Sequence, residues 1–172
     1  MNEPLFNKKS FDECLNLCTL RKSLIKNLNK VPFNNTVYTN FISTYQGAEI
    51  TPDIFIFSYE EALKENEYLV QQYPEISVNK WIIGGTGQGD NWFLDKESGR
   101  IFFYDHDNGE YSNEGFTGLL INFEEFIQLG FLCKDIEDYL DREEPSKDFD
   151  NQVEISLKSI HQSLYELYPF DF

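Results

Sequence analysis

The stretch WIIGGTGQGDNWFLDKESGRIFFYD, Trp81 to Asp105, decides the fold. With the three residues before it, it holds three short runs rich in aromatic and β-branched residues: VNKWIIGG (78–85), NWFLD (91–95) and GRIFFYD (99–105). Each has the length of a strand, and Glu97-Ser98-Gly99 between the last two reads as a hairpin turn. Consecutive short strands joined by tight turns predict an antiparallel meander. The first connection carries four of the ten glycines, Gly84, Gly85, Gly87 and Gly89. Glycines set this densely after an apolar strand raise the question of a phosphate cradle.

Spacing answers it. Gly84, four residues and Gly89 have the P-loop interval, but that motif continues with Lys and Ser or Thr to reach phosphate and magnesium. Asp90 and Asn91 stand there instead, and a carboxylate repels phosphate. Counted from Gly85 and Gly87, the dinucleotide fingerprint needs a third glycine where Asp90 stands. The element that follows reads as a strand, so no helix N-terminus faces a ligand. The glycines are expected to serve backbone geometry, and Asp90 to bond nearby amides.

Outward from the strands, the pattern turns helical. Phe11–Asn29 reads as a first helix, ended by Val31-Pro32. Asn34 or Asn35 caps a second, with Tyr38, Phe41, Ile42 and Tyr45 on one face and Gly47 as its left-handed terminator. DIFIF (53–57) reads as a strand. Ser58 and Glu61 form a capping box for a helix ending near Pro74, and Asn122 and Glu125 form another for a helix that Gly130 ends. After the acidic linker DREEPSKDFD (141–150), Asn151 and Glu154 are expected to open a last helix with Val153, Leu157, Ile160, Leu164 and Leu167 as its stripe. Helices, then strands, then helices predict one α+β domain over 1–172, an antiparallel meander sheet with helices packed against it.

Composition bounds the function. The 172 residues are 41% hydrophobic and 16% aromatic, too apolar for disorder. The net charge of −16 argues against direct contact with nucleic acid, where phosphates need Lys and Arg, and against anionic membranes. It permits a basic partner. The opening MNEPLFNKKSFDECLNLC has no basic segment leading into an apolar one, and three cysteines suit reduced thiols, so a cytoplasmic location is expected. Cys14 and Cys18 lie one helical turn apart without further ligands nearby in sequence, and packing is the plain reading.

YDHDNGE (104–110) sets acids around His106. As an EF-hand it fails, with Gly109 at position 5 and Phe116 at position 12. No nucleophile of clear identity accompanies it. His161, the only other histidine, lies by an apolar stripe and reads as structural. No metal, cofactor or catalytic residue is therefore expected, and the stretch reads as a polar turn or a contact surface. Trp81 and Trp92 flank the glycine loop; either they pack across it, or one is exposed as an interface anchor.

WIIGGTGQGDNWFLDKESGRIFFYDHD resembles the core of the SUKH superfamily (Smi/Knr-like) through Gly84, Gly89, Asp90, Asp95, Gly99, His106 and Asp107. Upstream, Pro32, Phe41 and Gly47 match the family's pattern, with Val31 in place of the usual Leu. Downstream, Phe123, Glu125 and Phe126 of INFEEFIQLG do the same. The resemblance covers roughly residues 20–132, leaving the acidic linker and last helix (133–172) outside it. It implies an α+β fold and, for most bacterial members, an immunity protein that neutralises a cognate secreted toxin by binding; other members are regulatory interaction modules. It implies no enzymatic activity. The acidic charge independently suits a basic nuclease toxin, because opposite fields speed encounter. The partner surface is expected on Asp90, Trp92, Tyr104, Asp105, Asp107, Glu110 and Tyr111, with the acidic segment 135–154 as a second candidate.

Overall fold

The computed structural model describes residues 4–172, so the first three residues of the opening stretch lie outside the described residues. Six antiparallel strands form one sheet in sequential order: β1 (Ala48–Thr51), β2 (Ile54–Ile56), β3 (Lys80–Gly85), β4 (Asn91–Asp95), β5 (Arg100–Tyr104) and β6 (Phe116–Asn122). Among the described residues seven α-helices accompany it: α1 (Phe11–Asn16), α2 (Thr36–Thr44), α3 (Tyr59–Gln72), α4 (Pro74–Ser77), α5 (Phe123–Leu140), α6 (Phe149–Lys158) and α7 (Leu164–Leu167). The architecture is the expected α+β meander. No helix of the described residues is long and apolar enough to cross a membrane.

Side chains alternate across the sheet with period two. Trp81, Ile83, Trp92, Leu94, Ile101, Phe103, Leu119 and Ile121 enter the larger core with α2, α5 and α6. Ile82, Phe93 and Tyr104 point the other way, into a smaller core closed by Leu69 of α3 and Ile76 of α4. β2 is only three residues long and leaves part of β3 without a strand neighbour. Asn66 of α3 fills that gap: buried, it accepts a hydrogen bond from the Ile82 amide and donates one to the Ile82 carbonyl, both at 2.8 Å. One side-chain amide thus stands in for a missing peptide.

The helix starts follow local chemistry. Asn35 caps α2, and the boxes Ser58–Glu61 and Asn122–Glu125 close reciprocally on α3 and α5. Other expectations are corrected. The first helix stops at Asn16; Leu20 and Leu24, whose spacing mimics a stripe, are exposed, and the chain instead bonds along the end of α2 through Arg21 N–H to Thr44 and Ile25 N–H to Ser43. Gly47 is not a left-handed terminator: a Cβ there would meet the Ser58 amide at 2.7 Å, so close approach requires the glycine. Gly130 does not end α5 but lies inside it against Ile50. Asn151 opens no helix. α6 starts earlier, at Phe149, whose buried ring stacks on Tyr139, and the expected last helix is interrupted between Lys158 and Leu164.

Candidate functional site

The glycine loop joins β3 to β4. Gly84 sits at a bulge where a Cβ would fall 1.8 Å from the Phe55 carbonyl oxygen, so β2 can pair there only against glycine. Gly89 has φ +101°, open to glycine and strained for other residues. Thr86 and Asp90 close the turn between them: the Thr86 amide donates to the Asp90 carbonyl at 3.0 Å, and the Thr86 hydroxyl donates to the Asp90 carboxylate at 2.8 Å. The second carboxylate oxygen accepts from His106 twice, from its amide at 3.0 Å and from ring Nδ1 at 2.6 Å. Asp90 therefore ties the glycine loop to the end of β5, two motif segments 16 residues apart.

Electrostatics follow this geometry. Burial alone would raise the Asp90 pKa; the His106 and Thr86 hydrogen bonds outweigh it and hold the carboxyl below its ordinary value. The Asp90 hydrogen bond in turn holds His106 above its ordinary value, and Asp107 and Asp105 add to the effect. Asp90, Asp105 and His106 bring one ligand atom each within 4.8 Å of one another, the spacing of a cation site. Both Asp90 oxygens already accept from donors, so a metal would have to displace bonds the loop is built on.

The seven expected surface residues divide in two. Asp105, Asp107 and Glu110 project from the loop after β5, and Tyr111 is half-buried beside them. Asp90 and Trp92 are corrected as direct contact residues: their side chains lie inside the protein, whereas Tyr104, 1% exposed, lines a small cavity beside the acidic loop. Trp92 is 0% exposed, packs on Phe103 and Phe126, and its indole N–H donates to the Asp53 carbonyl at 2.8 Å. Tyr104 donates to the Glu110 carbonyl at 2.6 Å and so fixes the loop that carries the acids. Trp81 is buried as well, donating to the Tyr38 hydroxyl at 2.9 Å. The two tryptophans thus serve packing.

In the second candidate region, several acids have intramolecular partners: Asp135 pairs with Lys9, Asp138 with Lys134 and Glu154 with Lys158. Cys14 and Cys133 are buried and Cys18 half-buried, all as free thiols; burial pushes Cys14 and Cys18 up to about 11. His161 lies between α6 and α7, where its Nδ1 accepts from the Ser163 amide.

Two features of this end of the molecule were not foreseen. Tyr73, just after α3, reaches the 104–111 loop with its ring centroid 5.0 Å from that of Tyr111, and Tyr68 of α3 packs edge-on against Tyr73. Asn91 accepts from the Tyr111 hydroxyl at 2.6 Å. The aromatic density of β5 and its loop was a signal; the partner helix, some forty residues earlier in the chain, carried none. No family model, curated protein or solved structure matches this chain.

Proposed function

We propose that this chain is an immunity protein of the SUKH kind, which binds a cognate toxin domain, expected to be a basic nuclease, and blocks it without catalysis. The observation that carries the reading is the carboxylate group Asp105, Asp107 and Glu110, displayed on one short loop of a chain with net charge −16. Such a display favours a basic surface and speeds encounter with it. The reading is also supported by the work the resembling residues do. Gly84 and Asp90 build the glycine loop, Asp95 and Gly99 turn the next hairpin, His106 answers Asp90, and Asn122–Glu125 starts α5 under Phe123 and Phe126.

The deciding experiment is co-expression with the C-terminal domain of a toxin encoded beside this chain's gene. The proposal expects rescue of growth and copurification at about one copy per toxin. Neither rescue nor copurification would leave a regulatory interaction module as the better reading. Full protection at a large molar deficit would mean neutralisation by catalysis.

A further inference from the structure

Beside the acidic loop lies a small cavity of about 230 Å³ between the end of α3 and the 104–111 segment. Its walls include the rings of Tyr68, Tyr73, Tyr104 and Tyr111, with Glu110 at the rim and Asn91 behind. The lining contains no Lys or Arg. Tyr68 is 52% exposed, an unusual setting for a large ring with no covering element. Tyr104 and Tyr111 are held in place by their hydroxyl bonds to the Glu110 carbonyl and to Asn91, so this side of the cavity is formed in advance.

The volume falls below the roughly 300–1,000 Å³ of ordinary small-molecule sites. It suits one side chain. The faces of phenol rings carry negative potential and attract cations, and a carboxylate at the rim adds to the attraction. The surrounding charge has the same sign: burial first, then Glu65, raises the Tyr111 hydroxyl, and burial first, then Glu110, raises that of Tyr73. His106 is the one lining group able to carry positive charge, and three carboxylates already face it. A planar guanidinium can stack on a ring and offer a fork of donors to Glu110; a compact ammonium cannot do both.

We infer that this tyrosine cavity is the socket for an arginine side chain of a basic protein partner. That the partner is a protein rests on the function proposed above; the cation preference rests on the cavity alone. The occupant would act as the anchor of the interface, with the acids around it steering approach.

The test adds N-acetyl-arginine methylamide to the intact protein and follows the tyrosine rings by NMR, with the uncharged citrulline analogue as control. The expected result is saturable shifts of Tyr68, Tyr73 and Tyr111 with the arginine probe and none with citrulline. Tyr68→Ala and Glu110→Gln, both at exposed positions, should each weaken the probe roughly five- to tenfold, the scale of one cation–π or rim contact, without changing the melting temperature. Equal shifts with both probes, absence of saturation, or undiminished binding in both variants overturns the inference. A lysine probe that binds as tightly overturns the choice of guanidinium. Arginine binding without toxin rescue leaves the socket standing and overturns the proposed function; rescue without arginine binding does the reverse.

Discussion

The carboxylate of Asp90 and the ring of His106 meet at 2.6 Å, and the amide of His106 donates to the same oxygen at 3.0 Å. A side chain that is 3% exposed is thereby fastened to one that is 45% exposed, so a buried loop anchor is coupled to an imidazole whose pKa the bond raises. The folded pKa of Asp90 lies below its ordinary 3.8, so its contribution is present above 3.8 and lost as pH falls through the folded value. That of His106 lies above its ordinary 6.5, so its contribution is complete below 6.5 and lost as pH rises through the folded value. The gap in melting temperature between the native protein and His106→Ala should therefore be widest between about pH 4 and 6.5 and narrow on both sides. A gap independent of pH would show that the ring acts through packing. Asp90→Ala, which strands the Thr86 hydroxyl and the His106 amide, should cost about 3 kcal/mol by denaturant titration.

The glycines of the same loop should rank by geometry. Gly84→Ala places a methyl group inside the Phe55 carbonyl and should prevent β2 from pairing, leaving little folded protein. Gly89→Ala has free space but an unfavourable φ, for about 1–2 kcal/mol. At Gly87 the nearest atom is 3.5 Å away and φ is not positive, so alanine should change stability by less than about 0.5 kcal/mol. ATP or GTP should leave the melting temperature where it is. A nucleotide-dependent rise, or an inverted ranking, would count against a purely geometric loop.

Asn66 offers a third measurement. Its amide is the partner of both backbone groups of Ile82, and Leu at this position would leave a buried N–H and C=O unpaired. Asn66→Leu should cost about 3 kcal/mol despite being more apolar and a better helix former. A neutral or stabilising outcome would mean that water reaches the edge of β3.

Asn66 also marks the limit of legibility. The strands from Lys80 to Tyr104 were readable because β-rich runs and a turn occur together in 25 residues, and the capping boxes at Ser58 and Asn122 because they are local. A polar residue within a helix reads as solvent-facing, and only the shortness of β2 brings Asn66 indoors. β1 and β6 carried no clear local signal: AEIT is short, and FTGLLIN includes a glycine and an exposed Leu120 at φ +61°. Leu20 and Leu24 misled in the opposite sense, apolar at helical spacing yet exposed. At the candidate site the acids of 105–110 were visible in the sequence. The Asp90–His106 bond and the Tyr68–Tyr73 wall were not, because each depends on tertiary pairing.

Metal binding is a separate prediction. With both Asp90 oxygens and His106 Nδ1 already engaged, purified protein should carry no stoichiometric zinc or calcium, and chelator should leave its melting curve unchanged. Near one equivalent of metal, lost together with stability on chelation, would make Asp90, Asp105 and His106 ligands instead.

The interface itself can be separated from the fold by choice of residue. Asp105, Asp107 and Glu110 have accessible carboxylates, whereas Trp92 and Tyr104 hold the core and the loop. Reversing the three acids to Lys should leave the chain folded, apart from the local turn in which Asp105 accepts from the Asp107 amide. The same triple reversal should slow association with the toxin domain and weaken rescue. Trp92→Ala should lose rescue by a different route, unfolding the protein at a cost of about 3–5 kcal/mol, and circular dichroism would register the difference. Association of the native pair should slow steeply with added salt, because fields beyond about 10 Å are screened at 0.1 M. A toxin complex that forms at the same rate in the triple variant, with the same salt dependence, would move the contact surface to the acidic segment 135–154. There Asp141, Glu143 and Glu144 are the exposed charges to reverse next.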